Sequence, residues 1–155
     1  MYLTGQKERM IKEGVRLGTI GDLKKLPSRV KETLDDVKKA TSSGDKIDLV
    51  LAVNYGARDD IRRALVSIVD DYQRGRLQKE DITEALIARY LDTAPWGDPQ
   101  LLIRTSGENR LSNFLLWQIS YAEVYITDVL WPDFDEHQLI KAIAEFQKRA
   151  RRVGC

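Results

Sequence analysis

Apolar and polar positions alternate along this chain in two periods, and the two periods take turns. Residues 3–12 carry a helical pattern that starts abruptly, with no capping residue before it. Val15-Arg16-Leu17-Gly18-Thr19-Ile20-Gly21 alternates apolar and polar and reads as a strand ending at a glycine. Leu26-Pro27 opens a helix, with Pro27 tolerated in its first turn and Val30, Leu34 and Val37 at helical spacing. The stretch Thr41-Ser42-Ser43-Gly44-Asp45 closes that helix. Ile47 to Val53 is a nearly continuous apolar run, as expected of a strand buried on both faces of a parallel sheet. It ends at Asn54-Tyr55-Gly56. A long helix follows, with Ile61, Leu65, Ile68, Val69 and Tyr72 in one stripe, and another is expected over about 81–91.

The second half repeats the alternation. Thr93-Ala94-Pro95-Trp96-Gly97-Asp98-Pro99 is a loop by its Pro and Gly content. Leu101-Leu102-Ile103 reads as a short strand running into the polar loop 104–110. Ser112 is placed to cap a helix holding Phe114, Leu115, Trp117 and Ile119. Val124-Tyr125-Ile126 is a further strand. Asp135 caps the last helix, which carries Leu139, Ile140, Ile143 and Phe146 and ends in Lys148-Arg149-Ala150-Arg151-Arg152. Strands that alternate with helices, with no internal repeat, predict an α/β fold: a mostly parallel sheet flanked by helices, in one domain over residues 1–155. In such folds ligands sit at the carboxyl ends of the strands, which points to Asn54-Tyr55-Gly56 and to the loop from Arg104 to Arg110.

Composition narrows the chemistry. Lys and Arg number 25 against 24 Asp and Glu, so the formal net charge is +1 and nucleic acid is not an expected partner. A single cysteine, Cys155, excludes an intrachain disulfide and a cysteine zinc site, and the lone His137 excludes a multi-histidine metal cluster. His137 reads as a surface residue of its helix, and without a triad partner it gives Ser-His catalysis little support. No apolar run approaches the roughly 20 residues that span a bilayer, and the N-terminal residues lack a signal-peptide core, so a cytoplasmic setting is expected.

What remains is a candidate anion site. Arg104 follows an apolar strand, and Arg110 and Ser112 stand where the next element begins. Two guanidiniums and a hydroxyl at a strand end would hold a phosphate or diphosphate, although each arginine could equally pair with a carboxylate such as Glu108 or Asp128. Glu123, beside an apolar strand, is either an arginine's partner or an oxygen ligand for Mg²⁺. Arg149, Arg151 and Arg152 either complement a helix dipole or reach a phosphate on a partner.

The stretch Leu102-Ile103-Arg104-Thr105-Ser106-Gly107-Glu108-Asn109-Arg110-Leu111-Ser112-Asn113-Phe114-Leu115-Leu116-Trp117-Gln118 closely resembles the cis-prenyltransferase signature. So do Tyr121-Ala122-Glu123 and Leu130-Trp131-Pro132-Asp133-Phe134. Asn54-Tyr55-Gly56-Ala57-Arg58 resembles an earlier block of that family, usually with a second glycine where Ala57 stands. Val15-Arg16-Leu17 with Ile20-Gly21-Asp22 resembles the strand before it. The blocks fall in the family's order across essentially the whole chain.

The resemblance implies an enzyme that joins isopentenyl diphosphate to an allylic diphosphate such as farnesyl diphosphate. The implied product has cis double bonds, undecaprenyl diphosphate being the best-known one, a carrier lipid of cell-wall synthesis. It implies Arg104, Arg110 and Ser112 as ligands of isopentenyl diphosphate, Glu123 as a metal-linked glutamate and Mg²⁺ as cofactor. Arg152-Val153-Gly154 resembles the family's C-terminal R-x-G motif, through which Arg152 and Gly154 would reach the partner's diphosphate site in a homodimer. A lipid product implies contact with the inner face of a membrane. One departure stands against the match. The family's opening block, Asp-Gly-Asn-Gly-Arg-Trp, with its essential aspartate, is not in these residues. The expectation is therefore the C-terminal portion of the enzyme, with N-terminal strands absent, unpaired sheet edges and poor activity alone. The alternative is a non-catalytic partner subunit of a heteromeric prenyltransferase.

Overall fold

A computed structural model describes residues 2–149, so Arg152 and Gly154 lie outside the described residues. Its contacts fall into two compact units, Met1–Asp60 and Ile61–Cys155. Both are built on parallel strands with helices, the α/β class that the alternation predicts.

In the first unit, α1 (Tyr2–Glu13) leads into β1 (Val15–Ile20), α2 (Ser28–Ala40) and β2 (Ile47–Ala52). The strands pair in parallel from Val15 opposite Ile47 to Ile20 opposite Ala52. Parallel strands cannot be joined by a hairpin, so α2 makes the crossover. Pro27 stands at the N-cap of α2 rather than in its first turn, a one-residue difference at a helix end. Met10 of α1, Leu17 of β1 and Val37 of α2 form the buried core, with Leu3, Val15 and Leu51 packed against it. Each such side chain contributes roughly 1.5–3 kcal/mol when fully buried. Thr41 welds the end of α2 to β1: its hydroxyl donates to the Val37 carbonyl at 2.8 Å and accepts from the Leu17 amide at 3.1 Å. Arg16 and Asp48, opposite one another in the register, form a two-pronged pair at 2.5 and 2.9 Å.

The carboxyl ends of β1 and β2 close on each other at Gly21. The Val53 amide donates to the Ile20 carbonyl at 2.9 Å, the Asn54 side-chain amide donates to the Asp22 carbonyl at 2.9 Å, and the Asp22 amide donates to the Asn54 carbonyl. Gly21 has φ of 110°, and a Cβ there would collide with the Val53 carbonyl oxygen. Only glycine meets both demands. β2 differs from expectation in its burial. Ile47 and Leu49 are 60% and 44% exposed, so the strand is not covered on both faces. Its apolar run reports a surface suited to cover rather than one covered within this chain.

The second unit receives α3 (Ala57–Gln73), which starts at the boundary, and then α4 (Glu84–Tyr90), β3 (Leu101–Arg104), β4 (Glu123–Ile126) and α5 (Glu136–Lys148). α4 is shorter than the 81–91 expected. Asp81 accepts the Gln78 amide at 2.7 Å in a preceding 3₁₀ turn, and Thr83 caps α4 by accepting from the Leu86 amide. These side chains satisfy the first amides and set the start late. β3 and β4 pair in parallel, Leu101 opposite Glu123 and Arg104 opposite Ile126. Asp135 caps α5 as expected, accepting from the Gln138 amide at 3.0 Å. The described strands thus form two parallel pairs, one in each unit.

The helix expected from Ser112 to Ile119 is not there. Ser112, Asn113 and Leu115 have φ of 49°, 62° and 46°, left-handed backbone that no right-handed helix can contain. The crossover from β3 to β4 is a string of turns, and Ser112 is exposed rather than a cap. Apolar spacing gave the burial of Ile119 correctly but not the backbone that achieves it.

Two stability predictions follow from these contacts. Gly21→Ala should lower the denaturation free energy by about 1–3 kcal/mol, the cost of a strained residue, whereas Gly5→Ala, in open space within α1, should raise it by about 0.5–1 kcal/mol. Denaturant midpoints of the two variants moving in the same direction would refute this. The second concerns Asp71, whose carboxylate accepts from the Tyr90 hydroxyl at 2.6 Å and from Arg76 at 3.1 Å. The Tyr90 hydrogen bond, then Arg76, holds Asp71 below its ordinary value, and the same bond pushes Tyr90 up. A depressed carboxylate adds stability that is present above its unfolded pKa and lost as pH falls through the folded one. In Tyr90→Phe, carbon-detected NMR titration should show Asp71 protonating at higher pH than in the wild type.

Candidate functional site

The carboxyl end of β3 is the most distinctive place in the second unit. Beyond the strands, the two chains stay side by side: the Thr127 amide donates to the Arg104 carbonyl at 3.0 Å, and the Gly107 and Ser106 amides donate to Thr127 and Val129 carbonyls at 2.9 Å. Ser106 and Gly107 both turn with positive φ, and Asp128 Oδ1 lies 2.8 Å from where a Gly107 Cβ would be. The loop is therefore held by its own backbone, and Gly107 makes room for the Asp128 carboxylate.

Arg104 stands at this end, half-buried, with its Nε buried and without a hydrogen-bond partner among the described residues. It forms no ion pair with Glu108 or Asp128. A buried donor left unsatisfied costs about 1–3 kcal/mol, and native structures hold few of them. Arg110 behaves differently. It is well exposed and paired with Glu108, the carboxylate partner open to it in the sequence. Ser112 is exposed two residues further on.

Glu123 lies at the other end of the strand pair. It faces Leu101 across the register while Arg104 faces Ile126, so three residues, or about 10 Å along the strands, separate the two. Its carboxylate accepts from Arg149 Nη1 at 2.9 Å, and the same nitrogen donates to the Val124 carbonyl at 2.9 Å. Arg149 thereby ties the end of α5 to β4, against which α5 packs. Of the alternatives open to Glu123 in the sequence, the arginine pair is the one seen. His137 is exposed, consistent with a surface residue.

No group of three His, Cys, Asp or Glu residues suited to a metal occurs among the described residues. Mg²⁺ commonly takes one or two protein carboxylates together with phosphate oxygens and water. Glu123 fits that scheme as one contributor, provided Arg149 yields it.

Several features were not legible as candidate chemistry. Arg63 grips Asp92 with two bonds of 2.7 Å, fixing the turn after α4 to α3. Gln118, almost fully buried, donates to the Thr93 hydroxyl at 2.9 Å and anchors the irregular crossover. A cleft of about 400 Å³ is lined by Glu84, Asp98, Trp117, Ser120 and Tyr121. In the first unit, at the Asn54-Tyr55-Gly56 loop singled out by its place after a strand, the Tyr55 hydroxyl donates to Asp60 at 3.1 Å. Asp60 is a buried carboxylate in the first turn of α3, where the helix dipole favours negative charge. No helix among the described residues is long and apolar enough to cross a membrane.

The family model described as "Putative undecaprenyl diphosphate synthase" matches residues 1–154. The chain belongs to the undecaprenyl diphosphate synthase family. An isoprenyl transferase of Chlamydia trachomatis is 47% identical over 140 residues, 90% of this chain and 55% of that protein. One from Geobacillus kaustophilus is 46% identical over 153 residues, 99% of this chain and 60% of that protein. Among solved structures, lavandulyl diphosphate synthase of Lavandula x intermedia, in complex with dimethylallyl diphosphate, matches with a TM-score of 0.94 at 34% identity, over 97% of this chain and 66% of that one. A "probable undecaprenyl diphosphate synthase" of Campylobacter jejuni matches at 0.87 and 36% identity, over 99% and 70%. This member of the family thus spans little more than half the length of the curated relatives it matches.

The unpaired Nε gives a stability test. Arg104→Met keeps the apolar stem and removes the buried donor, so stability should be unchanged or rise by up to about 1 kcal/mol. A loss of more than about 2 kcal/mol in urea denaturation would mean that Arg104 is a structural residue whose partners matter to the fold.

Proposed function

We propose that residues 1–155 form the C-terminal portion of one cis-prenyltransferase domain, and that this portion holds the diphosphate of isopentenyl diphosphate. The observation that carries the reading is Arg104, with a buried guanidinium nitrogen left unpartnered at the carboxyl end of β3. An anionic ligand satisfies that donor, and a diphosphate suits the planar fork of an arginine. Arg110 would exchange Glu108 for a second phosphate oxygen, at small cost because the pair is exposed. The Ser112 hydroxyl would donate to the same group. Arg152 and Gly154 are proposed to serve the site of a second copy in a homodimer.

The proposed reaction joins the homoallylic carbon chain of isopentenyl diphosphate to the carbon chain of an allylic diphosphate such as farnesyl diphosphate: a C–C bond forms, the allylic C–O bond breaks to release inorganic diphosphate, and a proton is lost. Repeated condensation would give a cis-polyprenyl diphosphate, with undecaprenyl diphosphate the proposed product, made in the cytoplasm against the inner face of the membrane. Mg²⁺, if held here, would supply charge neutralisation for the departing diphosphate. Glu123 is the residue of this chain proposed to hold it. The chain's own arginines fix the nucleophilic partner, orient it and screen its charge. The aspartate block that the sequence does not contain is not replaced by any carboxylate cluster among the described residues. We therefore propose that these 155 residues bind diphosphate but elongate slowly or not at all alone.

A second reading, a non-catalytic partner subunit, draws on that same missing block. One set of measurements separates the two. By calorimetry the chain should bind isopentenyl diphosphate, and Arg104→Met should weaken binding at least tenfold while leaving the fold intact. Retention of full affinity by that variant would overturn the proposed site. Radiolabelled elongation assays should then show activity when a fragment carrying the Asp-Gly-Asn block is added. Activity restored only by a full-length second subunit would favour the partner-subunit reading.

A further inference from the structure

Glu123 is the single carboxylate assigned to a cation above, and in the structure it is already occupied by one. Arg149 Nη1 lies 2.9 Å from its carboxylate and 2.9 Å from the neighbouring Val124 carbonyl. The pair joins residues 26 apart, from the residue that follows α5 to the first residue of β4. The two side chains are 39% and 30% exposed, so the contact is partly solvated. A pair of that exposure is held by less than about 1 kcal/mol. The contact is therefore weak enough to exchange and specific enough to matter. One guanidinium nitrogen anchors both a carboxylate and a main-chain carbonyl at a single point.

From this geometry we infer that Arg149 is an exchangeable counter-ion of Glu123: a divalent cation and Arg149 compete for the same carboxylate, so cation binding releases the end of α5 from β4. The inference rests on the proposed role of Glu123 as a metal ligand and deepens it. The physical reason is charge. A guanidinium and a divalent ion cannot both sit on one carboxylate without mutual repulsion, unless a further anion separates them. Diphosphate is such an anion. Without it, cation and arginine exclude one another. Arg149 is thus a positioning residue. It acts through Glu123.

The experiment uses the whole chain and Mg²⁺ or Mn²⁺ alone, then with inorganic diphosphate. Side-chain NMR of ¹⁵N-labelled arginines should show the Arg149 guanidinium signal shifting as Mg²⁺ saturates. Calorimetry should show Arg149→Gln binding Mn²⁺ about three- to fivefold more tightly than wild type, the affinity equivalent of removing a weak competing pair. Arg149→Lys should lie near wild type, and Glu123→Gln should lose the site. Should Arg149→Gln simply unfold α5, the wild-type NMR titration still decides. Metal that binds through Glu123 while the Arg149 signal stays still and Arg149→Gln leaves affinity unchanged would overturn the exchange alone. Absence of Glu123-dependent metal binding in every variant, with diphosphate present, would overturn the metal role of Glu123 and the exchange with it. A merely structural Arg149 would change the stability of α5 and leave metal affinity where it was.

Discussion

Two strands that run parallel must release their chain at the same edge, and in this protein both strand pairs obey that demand with different solutions. Between β1 and β2 the return path is a regular helix, α2, and the released ends are locked together by Gly21, Val53 and Asn54. Between β3 and β4 the return path is a run of turns containing Ser112, Asn113 and Leu115 in left-handed conformation. Irregular backbone is costly to fix, and it is fixed here by Gln118, which is buried and bonded to Thr93, and by Ile119. The side chains on this run are therefore set by turns rather than by helical spacing. Those side chains include Arg110 and Ser112, on the segment that leaves the Arg104 end of β3.

A pair of strands is a marginal sheet, and both pairs show it in their exposed apolar residues. Ile47 and Leu49 on β2, and Val124 and Ile126 on β4, are all between 39% and 60% exposed. On a solitary hairpin such residues would be an aggregation hazard. Here they belong to a family whose members are longer than this chain: it spans 55% and 60% of the two bacterial relatives compared. The run of β2 that reads from its sequence as doubly buried is thus found half open.

How far the sequence could be read follows from which interactions are local. The strand of residues 15–20 is visible because alternation is a local pattern, and the Asp135 cap because a cap lies three residues from its donor. The helix placed at 112–119 failed because apolar spacing is blind to φ, and nothing in Ser112-Asn113 forces a left-handed pair. The Arg110–Glu108 pair was within reach, two residues apart. The Arg149–Glu123 pair was open only as a type of contact, since its partners are 26 residues apart. Least legible of all was the state of Arg104. That a donor has no partner is a property of everything around it, and no motif encodes it.

The charges of the second unit, taken together, argue for an ordered division of labour along β3 and β4. At the carboxyl end, Arg104 Nε is buried and without a hydrogen-bond partner among the described residues, an arrangement that carries a cost while the donor stays unsatisfied. About 10 Å away along the strands, at the amino end, Glu123 has its cation already. One end holds an unsatisfied donor and the other a carboxylate that is already paired. An anionic ligand at Arg104 gains the full value of a charge-assisted bond, because it replaces an unsatisfied state. A cation at Glu123 gains only the difference between itself and Arg149. On the proposed reading the two ends would therefore differ in kind: a ligand at Arg104 would satisfy a donor that has no partner among the described residues, whereas a cation at Glu123 would first have to displace Arg149.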